Sequence, residues 1–198
     1  GGLERQPGVT ASQPATCNNK HLLARTAVFR GYVSLGNGFY EAWVSTPALA
    51  KAALGPQRIW FSADAVPAPL HPGTFHAFFT RSKEVDVPVM VVHPPESMVS
   101  RPPPTSPLEP SLVQSIMKLP AAERINVEML DYQPTALAFR VNCPRAGWIM
   151  VTDRWASGWK ATVNQSPATV CGGGFIFRAV QVAAGENTIR FTYRPWGH

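Results

Sequence analysis

Between residues 148 and 196 the chain sets Trp148, Trp155, Trp159, Phe175, Phe177, Tyr193 and Trp196 among Arg154, Lys160, Arg178, Arg190 and Arg194. Aromatic faces beside cations are the materials of a binding surface: a ring face accepts the C–H side of a sugar, and a guanidinium pairs with a phosphate or carboxylate. Trp159 and Tyr193 fall in step with an every-second-residue apolar pattern and are expected in a core. Trp155, in a turn, and Trp196, beyond the last strand, fall outside it. Trp155 and Trp196, with Arg154, Lys160 and Arg194 near them in sequence, are therefore the candidate residues for holding an anionic glycan or lipid headgroup.

Residues for bond-breaking chemistry are scattered. Asp64, Asp86, Asp131 and Asp153 are isolated, so spacing yields no carboxylate pair for glycoside hydrolysis. His21, His71, His76, His93 and His198 form no ligand motif, and His71 and His76, five apart, do not share a helix face. Cys17, Cys143 and Cys171 lack the Cys-x-x-Cys spacing of a zinc or redox site, although Cys143 and Cys171 could meet as a disulfide in an oxidising compartment. Gly172-Gly-Gly174 is followed by no Lys-Ser/Thr and helix, so it is expected to be a hairpin loop and not a phosphate cradle. No catalytic residues, metal or cofactor are assigned, and the chain alone is expected neither to transfer nor to hydrolyse sugars.

The elements that must position the binding residues are short strands. Ile149 and Val151, then Trp159, Ala161 and Val163, then Ile189, Phe191 and Tyr193 alternate with Thr, Arg, Lys and Met, which means one buried and one wet face per strand. Ser157-Gly158, Asn164-Gln-Ser-Pro167 and Ala184-Gly-Glu-Asn187 supply the turns. The fold class that follows is mainly β (α+β): an antiparallel β-sandwich of about seven strands over residues 124 to 194, with a small appended α/β element. That element covers residues 41–93, with helices expected from Thr46 to Leu54 and from Pro72 to Glu84 and strands at Arg58–Ser62 and Val87–Val92. Seven of the 20 prolines lie between His93 and Pro110, so 94–110 is expected as an extended linker, before a short amphipathic helix and the 111–198 sandwich module. Residues 1–40 are expected to be loosely ordered, with a strand over Leu22–Val33.

A hydrophobic fraction of 45% against 15% charged excludes disorder and leaves material for a core. No apolar run approaches the ~20 residues of a membrane helix, and no signal-like segment opens the sequence. The net charge of +6 is spread over many strands without a nucleic-acid motif, so anionic headgroups or phosphate-bearing glycans are the expected partners and nucleic acid is not.

Gly158-Trp-Lys-Ala-Thr-Val163, Phe175-x-Phe-Arg-Ala-Val-x-Val-x-Ala-Gly-Glu-Asn187 and Tyr193-Arg-Pro195 together resemble the C-terminal tail of bacterial YfhO-like polytopic membrane proteins, relatives of multi-pass glycosyltransferases that use lipid-linked sugars. The resemblance spans residues 124 to 195 and fades upstream, where Pro56-Gln-Arg-Ile-Trp-Phe61 is similar to a family strand. Where the family has Asp-Gly in a hairpin, this chain has Asn164-Gln165, which leaves the turn type open. The resemblance implies a soluble, non-catalytic piece on the extracytoplasmic side of a bacterial membrane, a lid, scaffold or weak glycan holder beside the membrane-embedded part of the same polypeptide. The other reading is an independent hydrolase or lyase of envelope polysaccharide, disfavoured by the missing acid and nucleophile sets.

Overall fold

A computed structural model describes residues 43–54, 58–99 and 107–194. The expected strand over Leu22–Val33, Cys17 and Trp196 lie outside these residues. In chain order the elements are α1 (Pro47–Leu54), β1 (Ile59–Ser62), β2 (Val66–Pro67), α2 (Pro72–Glu84), β3 (Val91–His93), α3 (Pro95–Val99) and α4 (Pro110–Met117). Nine strands without a helix between them complete the order: β4 (Glu123–Arg124), β5 (Val127–Gln133), β6 (Ala136–Cys143), β7 (Gly147–Arg154), β8 (Trp159–Val163), β9 (Ser166–Ala168), β10 (Cys171–Gly173), β11 (Phe177–Val182) and β12 (Gly185–Tyr193).

The strands form a seven-stranded sheet, β2-β3-β10-β11-β7-β1-β4, and a five-stranded sheet, β5-β6-β12-β8-β9. All pairings are antiparallel except β2 with β3. The mainly β, sandwich-like α+β class read from the pattern is thus the fold. The α/β element shares its sheet with the sandwich: β1 lies between β7 and β4, and β3 between β2 and β10.

Alternation sorts side chains to the two faces of the larger sheet. Ile59, Phe61, Ile149, Val151, Val180 and Val182 meet Leu137, Phe139, Val141, Ile189 and Phe191 of the smaller sheet. Trp60, Met150 and Ala179, one residue out of step, meet Leu49 of α1, Phe78 of α2 and Ile116 of α4. The result is three layers, helices on sheet on sheet. Here the one-wet-face reading of β7 needs correcting, since Met150 is wholly buried beneath the helices. Those helices come from residues 47 to 117, far from β7 in sequence, and cover what a single strand's pattern marks as its outer face.

Local chemistry explains where elements begin. Pro72 opens α2 at a position needing no N–H partner, and the His71 ring accepts a hydrogen bond from the Gly73 amide at 3.0 Å. The expectation of an extended stretch over 94–110 is corrected at its start, where Pro95 and Glu96 head α3 and Ser97 N–H bonds Pro94 C=O at 2.9 Å. Met98 of α3 lies where any side chain on Gly172 would have to go. The strand expected over Val87–Val92 is reduced to Val91–His93 plus a single bridge from Val89 to Ala121. Asn164 and Gln165 both take positive φ, 51° and 68°, so the β8–β9 hairpin keeps the geometry of a two-residue I′ turn without glycine.

Candidate functional site

β7 ends at Asp153 and Arg154 in the larger sheet, and the chain then crosses to start β8 in the smaller one. The crossing is tied to the end of β12: Arg194 N–H donates to Gly158 C=O at 2.8 Å, Tyr193 sits opposite Trp159, and Thr192 opposite Lys160. A Cβ at Gly158 would lie 2.6 Å from the Arg194 carbonyl oxygen, so this crossing requires glycine. The fold therefore gathers Arg154, Trp155, Lys160 and Arg194 at one end of the sandwich. Lys160, Arg190 and Arg194 are exposed, and none of the three forms an ion pair among the described residues. Because Trp159 and Ala161 face inward, Lys160 points from the outer face of the five-stranded sheet, as does Arg190 between the buried Ile189 and Phe191.

Trp155 is half-buried and packs on the inter-sheet core, and its indole N–H donates to Val170 C=O at 3.2 Å. Its ring is thus built into the wall of the fold and is not a free platform. Trp159, expected fully inside, is also half-buried; it lies against Tyr193 at 5.0 Å between ring centroids.

Behind this end is a charged group that sequence reading took for one more surface base. Arg178 is 1% exposed, and its guanidinium lies 3.7 Å from the Trp159 ring centroid and 4.9 Å from that of Phe191. One Nη donates to Asp153 at 2.7 Å, while Nε and the other Nη have no hydrogen-bond partner among the described residues. Arg58 reaches the second Asp153 oxygen at 3.3 Å and donates to the Tyr132 hydroxyl at 2.8 Å. Burial pulls Arg178 below its ordinary range and Asp153 pulls it back. Burial, then the Asp153 charge, raises Tyr132. Phase was the usable signal, since Arg178 stands two residues from Val180 and four from Val182, both inward.

Both Asp153 oxygens are engaged by guanidinium groups. Cys143 and Cys171 are free and buried, and burial raises both thiols above their usual range, away from the reactive thiolate. Among the described residues no cluster of three His, Cys, Asp or Glu could hold a metal. No helix among them is long and apolar enough to cross a membrane.

Comparison with family models, with curated proteins and with solved structures finds no match to this chain.

Proposed function

We propose that this chain is a non-catalytic binding module whose β8–β12 end holds an anionic glycan or headgroup. One observation carries the reading: Lys160 and Arg190 on the paired strands β8 and β12, and Arg194 just past β12, stand exposed without a carboxylate partner among the described residues. Unpaired cations on one rigid surface raise the local concentration of an anionic polymer. The half-buried Trp159 and Tyr193 hold that surface rigid from beneath.

The resemblance of residues 124 to 195 to YfhO-like tails supports placing the module on the extracytoplasmic face of a bacterial envelope, next to a membrane-embedded part of the same polypeptide. On that reading the ligand is a phosphate-bearing envelope polymer or an anionic lipid headgroup. Exposed ion pairs contribute less than about 1 kcal/mol each. A short fragment engaging several of them should bind in the millimolar range, about −4 kcal/mol.

Calorimetric titration with poly(glycerol phosphate), at roughly 0.05 M and then 0.5 M salt, tests the reading, because exposed charges are screened beyond ~10 Å near 0.1 M. Binding should weaken steeply with salt and be lost when Lys160, Arg190 and Arg194 are together replaced by Ala. Salt-independent binding, or none at low salt, would overturn it.

A further inference from the structure

A second region differs from this basic end in its chemistry. At the start of β7 an open cleft of ≈ 510 Å³ runs between the turns of the two sheets, lined by Trp148, Ser166, Thr169, Cys171 and Gln181 together with small apolar residues. That volume lies within the ~300–1,000 Å³ of small-molecule sites. Although the chain carries a net charge of +6, no Lys, Arg, Asp or Glu among the described residues lines this cleft. Glu96 of α3 acts on the Cys171 thiol without being part of the lining. A smaller cleft of ≈ 310 Å³ at the β4 end is by contrast lined by Glu123 and Arg124.

We infer that the uncharged cleft is a binding site for a neutral saccharide. An ionic ligand would be desolvated there without a counter-charge. A purely apolar one would leave the Ser166 and Thr169 hydroxyls and the Gln181 amide covered and unpaired. A pyranose ring meets both demands, with C–H groups for the half-buried Trp148 indole and hydroxyls for the amide and hydroxyl side chains.

The wall is fixed in place. Trp155 donates to the carbonyl of Val170, between the lining residues Thr169 and Cys171, and Cys171 pairs in register with Ala179 of β11. Gln181 and Trp148 are opposite each other on β11 and β7, so the amide and the indole sit at a set spacing across adjacent strands. This site does not depend on the basic end: it uses none of Arg154, Lys160, Arg190 or Arg194.

The test is a titration of the isotope-labelled 198-residue chain with neutral tetramers of glucose, mannose and N-acetylglucosamine. The Trp148 indole N–H and the Gln181 side-chain amide resonances are followed. At least one tetramer should shift both, with a dissociation constant on the order of 1–10 mM. Raising salt tenfold should change the affinity less than about twofold, since no charge is involved. Trp148→Leu should weaken binding by ~10-fold or more. Gln181→Ala, at an exposed position that leaves the fold intact, should weaken it about fivefold, the loss of one hydrogen bond. The Lys160→Ala/Arg194→Ala variant should bind the tetramer unchanged, which separates failure of this inference from failure of the anionic site. Absence of these shifts with all three sugars, or shifts that neither cleft variant weakens, would overturn it.

Discussion

The two faces of the seven-stranded sheet each bury a hydrophobic cluster but treat polarity in opposite ways. Beneath the helices, Trp43, Trp60, Phe78, Phe175 and Phe177 form an apolar, aromatic layer, and Trp43 and Trp60 each give their indole N–H to a backbone carbonyl. Toward the five-stranded sheet the layer is mostly aliphatic, and its end admits Arg178, Asp153 and Arg58. This second face brings charge to the border of the solvent, with Lys160, Arg190 and Arg194 exposed on the neighbouring part of the five-stranded sheet.

The contrast can be broken by substitution. Asp153→Ala should have the largest effect, about 3–5 kcal/mol, because it strands the buried Arg178 guanidinium without its counter-ion. Arg178→Met, which removes the buried charge itself, should change stability by about 1 kcal/mol or less. Chemical denaturation of the two variants measures both, and equal losses would show that the pair, and not the buried charge, dominates. On the helix side Phe78→Ala should also lose about 3–5 kcal/mol, here through an unfilled cavity.

Next in size is the effect of pH on the helix side. His93 is wholly buried, with Nδ1 bonded to Ala68 C=O at 2.6 Å and Nε2 without a hydrogen-bond partner among the described residues. Burial lowers its pKa from 6.5 to about 4. The unfolded chain therefore takes up a proton that the folded chain refuses. Stability should fall as pH drops from about 6.5 to about 4, by ~3 kcal/mol in all, and level off below. His93→Leu should flatten that part of the profile; an unchanged slope would place its origin elsewhere.

Much of the sandwich was legible because strand period is a local property: Ile149, Val151, Ala161, Ile189 and Phe191 all face where alternation puts them. What covers the other side of a strand is not local, so Met150 was read as wet although α1, α2 and α4 bury it. The gathering of Arg154, Lys160 and Arg194 at one end followed from strand order. The engagement of Trp155 with Val170 did not, because a turn residue's surroundings depend on how the two sheets meet. Trp148, out of step with Ile149 and Val151, gave no signal as a cleft residue, because the β9 residues that line the cleft with it are distant in sequence.

Smaller effects sharpen the same comparison. Trp155→Ala and Trp159→Ala should each lose about 2 kcal/mol, since both rings are half-buried on the inter-sheet core. A large loss for Trp159→Ala and none for Trp155→Ala would restore the reading in which only Trp159 is structural. Lys160→Ala should alter stability by less than about 0.5 kcal/mol, as expected for an exposed side chain outside any ion pair.

The most direct test of the central claim is a backbone amide map of the 198-residue chain titrated with poly(glycerol phosphate) at low salt. The account expects shifts confined to the end of β7, to β8 from Lys160, to β12 from Arg190 and to Arg194 just beyond it, all reversed at high salt. Shifts centred on α1, α2 and α4, or none on β8 and β12, would contradict it.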